Sequence, residues 1–301
     1  MGEYALGQAV PRSEDPRLMS GGGRYVDDVQ LPHTARAWIL RSPFAHARIK
    51  SIDTSAAEAA PGVVLVLTAK DWNASGWGDL PVASGRKRPD GSPMFVPPMK
   101  PLQADVVRRV GDYVAMVVAE TENQAKDACE LINVDYEPLP SVTDGEKALE
   151  PGAPAVWPDC PDNICFLQTV GKKEETDAAF AKATRIVRHK YIITRVMAAT
   201  MEPRGCTGDY HKFDDSYTFY TTLQGVHPYR ATLAARVLKV PENKVRVVAI
   251  DVGGSFGMKS PIYPEGPLCL HASRTLGRPV KWTGDRSEAF LSDYGGRDNI
   301  T

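Results

Sequence analysis

The sequence predicts an α+β fold with two domains that are separated by a proline-rich linker. Two strand–helix–strand patterns lie in the first half of the chain, over 35–68 and 113–136. Strand patterns become more frequent in the second half, where a glycine cluster follows the last of them. A chain of 301 residues is long enough for two domains of typical size. We place the first domain at 1–144, the linker at 145–165 and the second domain at 166–301.

The first domain alternates strands with short helices. Strands are predicted where apolar residues alternate or run together, at 35–42, 47–52, 62–68, 113–119 and 132–136. A helix is predicted at 53–61, with Asp53 or Thr54 as its N-cap. Another is predicted at 121–131, because the sequence that starts at Thr121 resembles a capping box.

Two proline-rich stretches interrupt these patterns. Residues 81–101 contain six prolines, which cannot sustain a helix and fit only the edges of a sheet, so a long surface loop is predicted. Six further prolines between positions 138 and 161 mark the linker. Beyond the linker, strands are predicted at 183–191, 217–222 and 245–251, and a helix is predicted at 228–238.

The bulk composition excludes some classes of partner. Lys and Arg number 36, Asp and Glu number 37, and neither sign dominates a long stretch, so nucleic acid and anionic membranes are poor candidates. No apolar run approaches the roughly 18 residues of a membrane span. Residues 1–6 also lack the start of a signal peptide, so a cytoplasmic protein is expected. Five cysteines, an odd number, fit a reducing compartment.

The most informative segment is the glycine cluster at 251–259, Asp-Val-Gly-Gly-Ser-Phe-Gly-Met-Lys, which follows a β-branched strand. Three glycines around one aromatic residue predict a backbone that takes positive φ or comes close to a ligand. Exposed N–H groups in such a loop can bind an anionic or electron-rich group. A tight structural turn explains the same residues about as well.

Two common motifs fit this cluster poorly. A dinucleotide site needs Gly-x-Gly-x-x-Gly at the start of a helix, whereas the spacing differs here and prolines follow. The nucleophile elbow Gly-x-Ser-x-Gly does match at 253–257, which would make Ser255 the nucleophile of a serine hydrolase. That elbow requires an acid and then a histidine, but His271 comes before Asp285 and Asp293. The hydrolase stays open as a minor alternative.

The same cluster resembles the Gly-Gly-Gly-Phe-Gly-x-Lys loop of the xanthine oxidase family. Two upstream motifs resemble that family in the same order, Met-Glu-Pro-Arg-Gly at 201–205 and Leu-Gln-Gly-Val-His at 223–227. Further similar segments lie at 21–28, 41–47 and 280–288. The sequence is therefore identified as resembling the N-terminal part of the molybdopterin-binding large subunit of the xanthine dehydrogenase, aldehyde oxidase and carbon monoxide dehydrogenase family.

The resemblance implies an α+β chain in which an N-terminal a/b hammerhead domain precedes part of the first molybdopterin-binding α/β domain. It implies molybdenum held by molybdopterin, in the cytosine dinucleotide form, and oxidation of an aldehyde, an N-heterocycle or carbon monoxide with oxygen from water. Electrons would pass to an iron–sulfur small subunit with 2Fe-2S and to a medium subunit with FAD, since this chain has neither fingerprint. The remainder of the large subunit would be a further partner.

By this resemblance, five residues would contact the cofactor. The side-chain amide of Gln224 would donate to an oxygen ligand of molybdenum, and so contact the metal indirectly. Gly254, Ser255, Phe256 and Gly257 would line the metal and the pterin, with the backbone of Phe256 and Gly257 nearest. Without the resemblance, Gln224 would be an exposed glutamine at a strand end, and Phe256 a core aromatic.

Charged residues near these motifs have two explanations. Glu202 and Arg204 form a buried pair that shapes the site or, more simply, belong to the scaffold. Lys259 and Glu265 could reach pterin or substrate, but surface charges are the commoner explanation. The family's glutamate base lies beyond Thr301, so we expect no catalytic residue in this chain and no activity of the chain alone. A truncated scaffold that lacks cofactor is the alternative.

The sequence departs from the family pattern at two positions. The middle glycine of the loop is Ser255 here, whose Cβ would be strained if the position needs positive φ. Ser260 stands where purine-oxidising members have a glutamate that helps to bind purine. Purine is therefore a weaker substrate candidate.

Overall fold

The structure is a computed structural model that describes residues 7–82 and 84–301. Its helices in chain order are α1 (Asp15–Met19), α2 (Ser55–Glu58), α3 (Ala69–Ala74), α4 (Glu122–Glu130), α5 (Lys173–Lys182), α6 (Val226–Thr232), α7 (Glu265–Leu276) and α8 (Arg286–Ser292). Its strands are β1 (Ala35–Arg41), β2 (Ala47–Asp53), β3 (Val63–Thr68), β4 (Val106–Val107), β5 (Tyr113–Ala119), β6 (Asn133–Pro138), β7 (Ile192–Val196), β8 (Gly205–His211), β9 (Ser216–Thr221), β10 (Val245–Val248), β11 (Val280–Thr283) and β12 (Gly296–Ile300).

A seven-stranded sheet in the order β10-β9-β8-β11-β1-β5-β3 forms the centre of the described chain. Its neighbours are antiparallel, except that β10 runs parallel to β9 and β11 runs parallel to β1. Ala35 pairs with Val280 in the β11–β1 contact. Strands from both sides of the predicted linker therefore share one sheet. There are two smaller sheets, β4-β2-β6 and β12-β7. Ala47 of β2 and Val107 of β4 pack with Val114 of β5 in one apolar cluster.

Strand β5 is buried on both faces, along its whole length. On one face Met116 and Val118 enter the main apolar core. On the other face Ala115 and Val117 pack against α4. Alternate residues of a strand point to opposite sides, and a strand that is covered on both sides needs apolar residues at every position. This explains why its sequence is an unbroken apolar run.

Helix α4 begins with the capping box that the sequence predicts. The backbone N–H of Gln124 donates to Thr121 Oγ1 at 3.3 Å, and the backbone N–H of Thr121 donates to Gln124 Oε1 at 3.0 Å. Two N–H groups that the first turn would leave free are thereby satisfied. The helix predicted at 121–131 is confirmed.

Most predicted elements are present. The strands predicted at 35–42, 47–52, 62–68, 113–119, 132–136 and 217–222 correspond to β1, β2, β3, β5, β6 and β9. The helix predicted at 53–61 is reduced to α2, and the one predicted at 228–238 starts earlier and ends in a π-helical segment, Leu233–Leu238. The described residues of 81–101 form the predicted loop, with isolated bridges such as Leu80 to Met99.

The strand predicted at 183–191 is wrong. An unpredicted helix, α5, precedes this segment, and the strand β7 begins only at Ile192. Residues 183–191 are exposed throughout. Alternating residues form a strand only where a neighbour supplies the hydrogen bonds, and pairing starts at Tyr191, whose N–H donates to Thr301 O at 2.7 Å.

Within the described ranges, no helix is long and apolar enough to cross a membrane. Residues 1–6, which we judged to lack the start of a signal peptide, lie outside the described residues.

Candidate functional site

The glycine loop, residues 249–264, connects β10 to α7. Its backbone is left-handed at Gly254 (φ 98°), Phe256 (φ 52°) and Gly257 (φ 89°). Ser255 has no positive φ, so its Cβ causes no backbone strain at this position. The one left-handed residue with a side chain is Phe256, where this conformation costs about 1 kcal/mol. The surrounding contacts must hold the loop against that cost.

The side chain of Phe256 is 82% exposed. The alternative that it is a core aromatic is therefore wrong. Its ring also leaves little room beside Gly254, where a Cβ would lie 3.0 Å from Phe256 Cε2. A left-handed residue other than glycine is often found at binding and active sites, where surrounding contacts maintain its strain.

Gln224 follows β9 and lies against the glycine loop. Its backbone N–H donates to Lys259 O at 3.1 Å. Its side-chain Oε1 accepts from Ser255 Oγ at 2.6 Å, Gly257 N at 3.2 Å and Ser260 Oγ at 3.3 Å. Because a backbone N–H can only donate, the contact with Gly257 determines which end of the amide faces the loop. The two Nε2 protons of this exposed residue therefore face away from the loop.

The five predicted cofactor residues thus lie together in the structure. Gln224 contacts Ser255 and Gly257 directly. Phe256 lies between these two loop residues in the sequence, and Gly254 precedes them. An exposed amide with free N–H groups, next to a glycine-rich backbone, fits a cofactor that carries electron-rich oxygen or sulfur. The contacts of each residue with a cofactor stay predictions.

A buried lysine–glutamate pair fixes both ends of the glycine cluster. Lys259 Nζ donates to Glu202 Oε2 at 2.9 Å, to Glu202 O at 2.9 Å and to Thr222 Oγ1 at 2.8 Å. The backbone N–H of Gly253 donates to the same Glu202 Oε2 at 2.7 Å. We call these four residues the clamp. All three ammonium protons have acceptors, as a side chain with no exposed surface requires.

The clamp corrects two expectations. Lys259 is not a surface charge, because Glu202 accompanies it into the interior; burial lowers the pKa of Lys259, and Glu202 opposes that change. Glu202 pairs with Lys259 rather than with Arg204. Gly253 is required by close approach, since a Cβ there would lie 2.4 Å from Glu202 Cβ.

A second buried network lies behind the clamp, and we call it the carboxylate–arginine cluster. Arg204 contacts Glu265 at 2.8 Å and Asp293 at 2.6 Å. Arg41 contacts Glu288 at 2.8 Å and Glu265 at 3.4 Å. All five side chains are at most 7% exposed. The expectation that Glu265 is a surface charge is therefore wrong, because two arginines surround it.

Sequence spacing could not have predicted this cluster. Its members come from β1, from the residue before β8, from the first turn of α7, and from α8 and the residue after it. The only local signal was the charge at Arg204 and Glu265 beside motif residues. The cluster also joins the two predicted domains, since Arg41 lies in the first and its partners lie in the second.

The cluster contains three carboxylates and two guanidinium groups, so one carboxylate lacks a full charge partner. Burial raises the pKa of Glu288 to about 7, with repulsion from Glu265 in the same direction and Arg41 opposing both. Burial would also raise the pKa of Glu265, but Arg204 and Arg41 outweigh it and lower that pKa. Of these carboxylates, Glu288 is therefore the one that takes up a proton as pH falls below about 7.

We expect Glu288 to make stability depend on pH. The pKa of Glu288 is about 7 in the folded protein, whereas its ordinary value of 4.5 applies in the unfolded chain. Between pH 4.5 and about 7, the folded state therefore binds a proton that the unfolded chain has lost. The free energy of unfolding should fall by about 3 kcal/mol as pH rises through this window. In Glu288→Gln that decline should disappear, as measured by urea unfolding from pH 4.5 to 7.5. An unchanged slope would show that another group titrates.

The structure argues against the serine-hydrolase alternative. The hydroxyl of Ser255 donates to Gln224, and no helix follows Ser255 until Glu265. His271 lies in α7, where its ring centroid is 5.3 Å from that of Trp77. In residues 7–82 and 84–301, no group of three or more His, Cys, Asp or Glu side chains could hold a metal ion.

Comparisons with known proteins identify the family of both halves of the chain. Residues 20–140 match the family described as aldehyde oxidase and xanthine dehydrogenase, a/b hammerhead domain. Residues 156–301 match the family described as molybdopterin cofactor-binding domain. Together these two matches account for most of the chain.

Individual relatives point the same way. The chain is 37% identical to the nicotine 6-hydroxylase large subunit of Paenarthrobacter nicotinovorans, over 95% of this chain and 34% of that protein. It is 38% identical to the carbon monoxide dehydrogenase large chain of Afipia carboxidovorans, over 96% of this chain and 36% of that protein. Quinoline 2-oxidoreductase from Pseudomonas putida 86 matches in structure with a TM-score of 0.86, at 35% identity, over 98% of this chain and 36% of that chain.

The chain spans about a third of the length of the curated relatives that it matches. Over that third, the fold agrees with that of a solved relative, and two family models match successive regions of the chain. The chain therefore belongs to the aldehyde oxidase and xanthine dehydrogenase family of molybdopterin-binding large subunits.

Proposed function

We propose that this chain forms one side of the cofactor site in a molybdenum hydroxylase. The whole enzyme would oxidise an aldehyde, an N-heterocycle or carbon monoxide, with water as the source of oxygen. The observation that carries the proposal is the exposed Gln224 amide, whose oxygen accepts from loop donors and whose N–H groups donate to no residue of 7–82 or 84–301. Relatives that hydroxylate nicotine or oxidise carbon monoxide support this range of substrates.

The residues divide into those that hold the cofactor and those that hold the loop. Gln224 would donate to the molybdenum group, and the backbone at Gly254, Phe256 and Gly257 would line the pterin. When bound, molybdopterin with molybdenum would supply the two-electron redox chemistry, which the protein's own side chains cannot perform. The protein contributes orientation and neutral hydrogen-bond donors, which stabilise charge without transferring a proton.

The remaining parts of the assembly are also proposals. We infer the cytosine dinucleotide form of molybdopterin, a 2Fe-2S small subunit, an FAD medium subunit and a cytoplasmic location. A hammerhead domain at 1–144, a linker at 145–165 and a molybdopterin-binding domain at 166–301 are proposed as the domain organisation. The matched regions at 20–140 and 156–301 support this order.

The test is cofactor content and turnover in the full-length subunit, produced with its iron–sulfur and flavin partners. We expect one molybdenum and one pterin per subunit. Gln224→Ala should lower turnover on the order of 100-fold, as loss of a preorganised donor does elsewhere. Gln30→Ala is the matched control. Gln30 is an exposed glutamine whose side-chain amide donates to Asp27 O and accepts from the Arg36 guanidinium.

Two outcomes would overturn the proposal. Folded complex without molybdenum or pterin would favour the alternative of a scaffold that lacks cofactor. Full turnover in Gln224→Ala would show that the amide does not act on the cofactor.

A further inference from the structure

The hydroxyl of Ser255 stands in the middle of a directed chain of hydrogen bonds. The backbone N–H of Lys259 donates to Ser255 Oγ at 3.3 Å, and Ser255 Oγ donates to Gln224 Oε1 at 2.6 Å. A backbone N–H cannot accept, so the first contact takes an acceptor site of the hydroxyl. The Gly257 N–H holds Gln224 Oε1 on this side of the amide, so the hydroxyl proton is directed to that oxygen.

The Gly257 N–H sets the orientation of an amide that could otherwise rotate by half a turn, and the bond from Ser255 strengthens that orientation. The two ends of a glutamine amide have nearly the same shape but opposite hydrogen-bonding character. In the observed orientation, Gln224 Oε1 meets donors from Ser255 and Gly257. After a half turn, the NH₂ group would face those same donors, and the oxygen would face the cofactor side. Of the side-chain contacts to this oxygen, the one from Ser255 is shorter than the 3.3 Å contact from Ser260.

We propose that Ser255 is a positioning residue, which acts on the cofactor only through Gln224. This changes the role that the resemblance implies, in which Ser255 itself lines the metal and the pterin. The inference rests on the proposed function, because it takes the Gln224 amide as the group that meets the cofactor. It also gives a role to the hydroxyl, which the glycine of the resembling loop lacks. Donation to the amide oxygen further polarises the amide and makes its N–H groups better donors.

The experiment uses the full-length holoenzyme with its partner subunits and four variants. These are Ser255→Ala, Gln224→Ala, the double variant that combines them, and Ser20→Ala. Ser20 is an exposed serine whose hydroxyl bonds only to backbone oxygens near α1, so it controls for loss of a hydroxyl as such. Each variant is measured for molybdenum content, thermal unfolding, kcat, KM and the electron paramagnetic resonance signal of partly reduced molybdenum.

We expect Ser255→Ala to keep its molybdenum and its unfolding temperature. Its kcat should fall about 3- to 10-fold, the size that one neutral hydrogen bond controls, with KM within about twofold. The resonance signal should change, which a purely structural role would not cause. In the Gln224→Ala background, adding Ser255→Ala should change kcat by less than about twofold, because a residue that acts through a partner loses its effect when the partner is removed.

Contrary results would separate the two hypotheses. If Gln224→Ala lowers turnover but Ser255→Ala changes neither kcat nor the resonance signal, the inference fails and the proposed function stands. If Ser255→Ala lowers kcat equally with and without Gln224, the serine acts independently and the inference also fails. If Gln224→Ala leaves turnover and signal unchanged, both the proposed function and the inference are overturned.

Discussion

Replacing Arg204 with methionine should lower the free energy of unfolding by about 4 kcal/mol. Arg204 is 5% exposed and lies 3.6 Å from the ring centroid of Tyr263. Methionine fills similar space without charge, so Glu265 and Asp293 would stay buried without their main partner. Removing one member of a buried ion pair costs about 3–5 kcal/mol, since the partner charge keeps its desolvation cost.

The Arg204→Met loss should depend on pH with a definite sign. Arg204 lowers the folded-state pKa of Glu265 below its ordinary value of 4.5. Its stabilising contribution is therefore fully present above pH 4.5 and is lost as pH falls through the folded pKa. Urea unfolding at pH 7 and at pH 4 should show a smaller difference from the native sequence at pH 4. Arg12→Met, at a side chain that is 76% exposed, should change stability by less than about 0.5 kcal/mol. Equal losses in both variants would contradict the assigned burial.

Replacing Lys259 with methionine should combine a stability loss of about 3 kcal/mol with loosening of the glycine loop. The change leaves Glu202, whose side chain is 12% exposed, without a counter-charge. Glu202 also accepts the Gly253 N–H, and Lys259 supplies the backbone groups that meet Gln224 and Ser255. A disturbed Glu202 should therefore disturb the loop and the amide that it orients.

Hydrogen exchange separates these two effects in Lys259→Met. The amides of Gly253 and Gly257 should exchange faster, while those of β5, which is buried along its whole length, should change only with global stability. Lys173→Met is the matched control, because that lysine is 75% exposed and pairs only with Asp177. Unchanged exchange at Gly253 would show that the clamp does not hold the loop.

Local sequence patterns predicted the elements that depend on local physics. The apolar run of β5 and the capping box at Thr121 each reflect a few neighbouring residues. The grouping of Gln224 with the loop at 254–257 came from the family resemblance instead. Their spacing in the sequence carries no sign that they would meet.

Other features escaped prediction because they depend on distant partners. A charged residue such as Lys259 looks like a surface residue until Glu202, 57 positions earlier, is known to accompany it inside. The same holds for Glu265 and Arg41, which are 224 positions apart. The alternation at 183–191 failed for the opposite reason, since the pattern was present but no strand lay beside it. A sequence pattern shows only that a segment favours a strand, whereas a strand forms only if a neighbouring strand pairs with it.

The parallel contact between β1 and β11 can form only late in synthesis, because the two strands are far apart in the sequence. Val280 follows Ala35 by 245 positions, 280 minus 35. At about 5–20 residues per second, a ribosome needs about 10–50 s to make the chain between them. For that time the first strand has one edge without its neighbour, and unpaired edges invite association with other chains. Nascent chains that stop short of β11 should therefore depend on chaperones more than longer ones do.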